Sequence, residues 1–399
     1  MKRSVIIFGV VLIGGLAGIN VTNKTDVAEN SAVKLEIPRI DFVEMLVPQP
    51  QENDPDVIWY DDYSSEKKYM DGSGKIDNAM DFGVNGGSVD AGFNKGDVTG
   101  RGNRKVAFGD YPGNVTREKE GKKFEDVYWR IYVKHEHGWE GAPAKMSRAT
   151  SIVSSNWQQA MIAHVWSGPE NSLTLDPASG IEGQTDVIKT TKYNDFDNLR
   201  WLGNRPPSDF QITATEESGH WILVESRAKL NTPGKSDGIN QLWIDGRLET
   251  ERTGLNFRGN YTAHGINAVF LESYWNRGSV KTQGRWYDNF VISTKPIGPV
   301  VCPANPVLHK NPYKGPGKLA EWEVELSSDY NGNDLVYKSK KLKGKEYVTI
   351  NKKSGKFMGS LAGKSTLASG HVYYGRVRQK SSNGELSDWS RWHQGFAVN

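Results

Sequence analysis

The chain has 399 residues, 50 of them basic and 47 acidic, for a net charge of +3. Charges this closely balanced make no global field of the kind that draws nucleic acid. A single cysteine, Cys302, excludes an internal disulfide framework, so stability must come from the size of the core and any bound metal.

Residues 1–20 read as a secretory signal, with Lys2 and Arg3 ahead of the apolar run Val5 to Leu16 and small residues at Ala17 and Gly18. The run is too short to span a bilayer, and a lipid anchor would need a cysteine at the cleavage point. The sequence therefore predicts an exported chain, secreted, periplasmic or at the cell surface, with no membrane span. Residues 21–54 are polar, carry Pro38, Pro48 and Pro50, and read as a leader or linker.

From residue 55 to 298, short alternating runs replace any helical period. Candidate strands are Ile58 to Tyr63, Lys105 to Phe108, Val127 to His135, Gln158 to Ser167, Trp221 to Lys229, Gln241 to Asp245, Ala268 to Trp275 and Arg285 to Ser293. Turns such as Asp245-Gly246-Arg247 separate them. The class is all-β, and the pattern fits a two-sheet sandwich of the jelly-roll kind. A Pro-rich linker follows at 299–306, within a stretch that holds Pro296, Pro299, Pro303 and Pro306. Lysine then becomes frequent over 307–399. That tail resembles a fibronectin type III domain, on Val372-Tyr373-Tyr374-Gly375-Arg376-Val377-Arg378 and the later Ser387-Asp388-Trp389-Ser390-Arg391-Trp392. Arg376 and Arg378 are placed to stack on Trp389 and Trp392.

Within Val127 to His135, Val127, Trp129, Ile131 and Val133 share one face, and Tyr128, Arg130, Tyr132 and Lys134 share the other. The first is a core face. The second interleaves two cations with two tyrosines, which suits an anionic, ring-bearing ligand. An exposed sheet face with cations lying over tyrosines is the plainer alternative. Further along, Glu225 and Arg227 share a face, as do Gln241 and Trp243, and Glu272 and Tyr274. His164 lies inside an apolar strand, where an isolated histidine is more often a hydrogen-bonded core residue than a catalyst. If these polar sides converge, they form a groove.

The 55–298 region resembles the concanavalin-A-like jelly rolls of polysaccharide lyases, such as the alginate and glucuronan lyase families and their cellulose-induced fungal relatives. The carriers are Tyr128-Trp129-Arg130-Ile131-Tyr132-Val133-Lys134, the His164 strand, Trp243-Ile244-Asp245-Gly246, and Trp286-Tyr287-Asp288-Asn289-Phe290-Val291-Ile292. The Tyr-x-Lys-x-Gly-x-Tyr and Arg-x-Glu-x-Arg strands of typical alginate lyases are absent. The resemblance implies β-elimination on a uronate-containing, anionic polysaccharide. Such a reaction needs donors to neutralise the carboxylate, a base for the C5 proton and an acid for the leaving oxygen. On that basis Arg130 and Gln241 are assigned to the carboxylate, His164 to the base and Tyr274 to the acid. Tyr128, Tyr132, Lys134, Glu225, Arg227 and Trp243 would bind the sugar or orient these groups.

Jelly rolls of this kind also imply a structural Ca²⁺ between first and last strands, for which Asp61, Asp62 and Asp288 supply hard oxygen ligands. A non-catalytic, lectin-like module on the same fold is the alternative reading. A retaining glycosidase would present paired carboxylates about 5 Å apart, and no such strand motif occurs in the large domain. His135 and His137 flank Glu136 without a His-Glu-x-x-His helix, so zinc chemistry has no motif either. The expected partner is an anionic polysaccharide, without nucleic acid, and the chain is read as a monomer.

Overall fold

The computed structural model describes residues 34–45, 50, 52–83 and 86–399. The signal-like segment 1–20 therefore lies outside the described residues. Apart from two 3₁₀ turns, Thr215–Glu217 and Gly359–Leu361, the regular elements described are strands.

Two eight-stranded sheets face one another as a jelly-roll sandwich. Sheet I runs Arg200–Trp201, Leu173–Ser179, Gln159–Ser167, Lys145–Ile152, Ala268–Tyr274, Arg104–Phe108 and Asp71–Gly72, with Arg117–Glu118 also on Arg104–Phe108. Sheet II runs Arg247–Leu255, Gly238–Ile244, Trp221–Lys229, Asp126–His135, Arg285–Ser293, Ser88–Asp90 and Ile76–Asp77, with Val57–Asp61 also on Arg285–Ser293. Strand alternation puts Val127, Trp129, Ile131 and Val133 between the sheets as the sequence predicts, against Met161, Ala163, Val165, Val269 and Leu271 of sheet I. Trp129 Nε1 donates to Ser147 Oγ at 3.0 Å, which ties the sheets together without leaving a buried donor unpaired. The Asp245-Gly246 hairpin has both residues at positive φ, 48° and 79°, as a type I′ turn requires.

A second sandwich occupies the C-terminal region. Its six-stranded sheet runs Val301–Cys302, His393–Val398, Val372–Ser381, Leu319–Ser327, Leu335–Ser339 and Gly355–Phe357. Its three-stranded sheet runs Ile40–Val43, Val307–Lys310 and Tyr347–Thr349. The first strand of that small sheet comes from the segment read from sequence as a leader. Ile40 and Val43 are 1% and 0% exposed, and Ile40 N donates to His393 Nε2 at 3.1 Å. The first described strand thus belongs to the second sandwich, and the chain then builds the jelly roll and returns. Val301–Cys302, read as linker, likewise pairs in parallel with the last strand. Arg376 lies over both Trp389 and Trp392, and Arg378 over Trp389, as the sequence spacing implies.

The two sandwiches share one hydrophobic cluster. Tyr132, Trp221 and Leu223 from the outer face of sheet II pack with Val300, Cys302, Trp322, Tyr337 and Phe396. This contact overturns the idea that the Arg130 face is an open groove. Arg130 and Tyr132 are both fully buried. Arg130 Nη1 donates to Gly298 O at 3.0 Å, and the Tyr132 hydroxyl accepts from Val300 N at 3.0 Å. Lys134 Nζ pairs with Asp41 of the N-terminal strand at 2.8 Å. The Glu225 carboxylate accepts from Ile297 N and Gly298 N at 2.8 and 2.7 Å. Alternation identified a polar face correctly; what covers that face is a long-range fact that alternation does not encode.

Candidate active site

The open polar face belongs to sheet I. Its register lines up Asp176, His164, Arg148, Phe270, Lys105 and Asp71 in one row across six strands, all on the side away from the core. A second row carries Trp166, Lys145 and Tyr274. Strict alternation from Arg148 would turn Lys145 inward. Register shifts between Val165 and Trp166, and between Leu271 and Tyr274, bring Lys145 out beside those aromatics.

Above the second row is a cleft of about 680 Å³. Lys145, Trp166, Phe196, Trp201, Arg205, Tyr274 and Arg277 are among its walls. Among the described residues that line it, there are three cations and no carboxylate. Phe196 and Trp201 are 38% and 37% exposed, stacked with ring centroids 6.0 Å apart, and Trp166 meets both. Lys145 Nζ sits 4.5 Å from the Tyr274 ring centroid and 5.8 Å from that of Trp166. Burial pushes the Lys145 ammonium below its ordinary range, with Glu272 pulling it back up and Arg148 adding to the drop.

Both carboxylates near the floor are engaged. Glu272 forms an ion pair with fully buried Arg148, whose Nη1 also donates to Asn194 Oδ1 at 2.7 Å. Arg205 Nη2 lies 2.7 Å from Asp176 Oδ2. Burial raises the Asp176 carboxyl, and Arg205 opposes that rise.

Of the four residues assigned to catalysis from sequence, the structure brings His164 and Tyr274 to this face and leaves Arg130 and Gln241 on the other sheet. Tyr274 lines the cleft. His164 is fully buried beneath it, its ring 4.1 Å from Trp166 and 5.9 Å from Trp201. Its Nδ1 lies 2.9 Å from Asp176 O, and burial, together with the Arg148 charge, holds the imidazole well below its ordinary range. It supports the aromatic wall and is screened from the cleft. Gln241 accepts from Arg227 Nη1 at 3.0 Å and donates to Glu251, while Arg227 pairs with Asp126 at 2.6 Å. Tyr128 lies under Arg227 and tilts against Trp243 at 6.3 Å. These four residues make a polar ladder on sheet II, apart from the cleft.

Each of the expected Ca²⁺ ligands has hydrogen-bond partners within the chain. Asp61 accepts from Tyr63 N and the Tyr69 hydroxyl at 2.8 and 2.6 Å, and Asp62 from the Tyr60 and Ser64 hydroxyls. Asp288 accepts from Phe82 N and Asn289 N, and burial, with the nearby Asp62 and Asp81 charges adding to it, lifts its carboxyl well above the ordinary range. Among the described residues no group of three or more His, Cys, Asp or Glu is arranged to hold a metal.

Sequence reasoning missed Lys145, Arg148, Asp176, Phe196, Trp201 and Arg205. Lys145–Ile152 is rich in small polar residues and Leu173–Ser179 contains Pro177, so neither carries a strong strand signal. Phe196, Trp201 and Arg205 stand on connections or a two-residue edge strand, where spacing gives no period to read.

No family model matches the chain, and no curated protein does. Among solved structures, it is similar to the marine PL-14 alginate lyase from Aplysia kurodai, at 13% identity over 60% of this chain and 99% of that one, with a TM-score of 0.43. It is also similar to the endo-β-1,4-glucuronan lyase from Trichoderma reesei, at 13% identity over 64% and 94% of the two chains, with a TM-score of 0.39. The alginate lyase vAL-1 from Chlorella virus is similar at 14% identity over 56% and 91%, also with a TM-score of 0.39.

Proposed function

We propose that this protein is an exported polysaccharide lyase that cleaves a uronate-containing chain by β-elimination in the sheet I cleft. The observation that carries this reading is the lining itself: three cations, a stacked aromatic wall and a cation-bearing tyrosine, without a carboxylate among the described lining residues. Cations suit an acidic polymer, and aromatic faces suit sugar rings. Hydrolysis would need two carboxyl groups free to act as acid and base, whereas Glu272 and Asp176 are held by Arg148 and Arg205.

In this reading Arg205 and Arg277 draw the uronate carboxylate and stabilise the charge that develops on it. Lys145, its ammonium weakened by burial, serves in its neutral form as the base that removes the C5 proton. Tyr274 gives its hydroxyl proton to the departing O4 as the C4–O4 bond breaks and the C4–C5 double bond forms. Lys145 is then an ammonium beside a phenolate, and transfer of that proton to Tyr274 restores both groups. Relative to the sequence assignment, the base moves from His164 to Lys145 and the acid stays Tyr274.

The test is the ultraviolet absorbance of the unsaturated uronate product, with the purified protein on glucuronan, alginate, ulvan and pectate. A signal with one polymer, abolished in Lys145→Ala and Tyr274→Phe and retained in Arg130→Met, supports the reading. No signal on any polymer, with retarded migration in polysaccharide gels, would instead indicate a lectin-like binding module.

A further inference from the structure

Charge is segregated along this chain. Residues 307–399 hold sixteen Lys and Arg against eight Asp and Glu, which is +8 in a protein whose total is +3, so the rest of the chain is −5. Eight of those lysines fall between 338 and 356, where Glu346 is the one acidic residue. The fold concentrates them further. Leu335–Ser339 pairs with Gly355–Phe357 at the edge of the six-stranded sheet, and the register sets Lys338 directly opposite Lys356. Lys340 N donates to Ser354 O at 2.8 Å, which draws Lys340 to the Lys352-Lys353 turn.

Like charges placed opposite one another across a strand pair destabilise it. Lys338 is offset by Glu325 at 2.8 Å and Lys341 by Glu321 at 3.0 Å. Lys340, Lys343, Lys352, Lys353 and Lys356 are exposed and have no carboxylate in ion-pair range among the described residues. Beside them Tyr347 is 42% exposed, with Lys345 Nζ 2.7 Å from its hydroxyl.

We propose that this hairpin edge is a second binding surface, separate from the cleft, for a chain of acidic sugars. It rests on the cleft reading only for the choice of polymer. The second sandwich docks on sheet II, and the cleft opens on sheet I, so the two surfaces lie on opposite sides of the jelly roll and bind separate stretches of polymer. Dispersed, flexible ammonium groups match charges repeated along a linear chain, and Tyr347 offers a ring face. Two weak sites on one protein raise avidity on a long polymer without a new contact in either.

The experiment uses the full chain carrying Lys145→Ala and Trp201→Ala, so that the cleft contributes neither turnover nor its aromatic wall. Binding to polyglucuronate of defined length is measured over a salt series, with dextran as the neutral control. Adding Lys→Ser changes at 340, 343, 352, 353 and 356 should weaken binding roughly tenfold or more at low salt and flatten its salt dependence. The same five positions changed to Arg should retain binding and control for folding. Unchanged affinity in the Ser variant overturns the proposal. So does unchanged polymer binding with new self-association, which would make these lysines guards of a sheet edge. Tighter retention on duplex DNA or phosphatidylserine vesicles than on polyglucuronate would overturn the choice of partner. Because no turnover is measured, failure of the lyase reading leaves this result interpretable.

Discussion

Replacing Ile40 by alanine tests whether the N-terminal strand is an integral part of the second sandwich. Ile40 is 1% exposed, and its Cδ1 occupies the space above Gly375, where an added Cβ would come within 2.4 Å of it. The neighbouring wall is backbone and Leu326, which have little freedom to close the gap. Ile→Ala at such a site costs about 3 kcal/mol, the transfer loss plus an unfilled cavity, whereas Ile40→Val should cost about 1 kcal/mol. Guanidinium unfolding followed by tryptophan fluorescence reads the change, and limited proteolysis reports whether 307–399 opens first. Deleting residues 34–45 should go further, because it also removes Val43 and leaves Lys134 without Asp41 on a buried face. A loss below about 0.5 kcal/mol for Ile40→Ala, the size of an ordinary surface change, would refute the reasoning.

Glu272→Gln should move the rising limb of the pH–rate profile to lower pH. Glu272 favours the ammonium form of Lys145, so its removal lets burial and Arg148 depress that group further; a limb that stays put or moves alkaline speaks against Lys145 as base. Trp201→Ala should raise KM about fivefold with little change in kcat, the loss of roughly 1 kcal/mol of ring contact, measured by steady-state kinetics on the cleaved polymer. Glu217 links the sandwiches through Arg39 at 3.1 Å and Arg391 at 3.3 Å. Burial works to raise its carboxyl, but the two arginines outweigh it and hold it below the ordinary 4.5. The lowered folded value means its stabilisation is present above pH 4.5 and lost as pH falls through the folded value. Glu217→Gln should therefore flatten the most acidic part of the stability–pH curve, leaving the higher-pH part that His220 and His393 produce by charging on unfolding.

The residues that define layers were legible in the sequence. Alternation in Val127 to His135 separated Trp129 and Ile131 from Arg130 and Tyr132, and Asp245-Gly246 marked a hairpin. His164 and Tyr274 were picked out one by one, and the register puts both on sheet I. Gln241 and Arg227 share a face, as expected, but they bond to one another rather than to a ligand. Lys145 depended on two register shifts, which no periodicity reports. The Arg130 face depended on residues 39–43 and 297–302, which lie far from it in sequence and bury it.

Both jelly-roll sheets present Arg, Lys, Tyr and Trp on their outer faces, and composition does not separate them. They differ in where the counter-groups come from. On sheet II, Gly298 O, Asp41, Asp126 and the amides of 297, 298 and 300 meet Arg130, Tyr132, Lys134, Glu225 and Arg227. Those partners belong to the chain, so the face closes on itself and anchors the second sandwich. On sheet I the deep pair Arg148–Glu272 is closed in the same manner, while Lys145 and Arg277 border solvent and Arg205 keeps 55% of its side chain exposed. Asp176 answers Arg205 from one side, and in the proposed reading an acidic polymer supplies the remaining anion to this face. Covering one sheet with a domain thus leaves the other as the face on which an acidic polymer can lie.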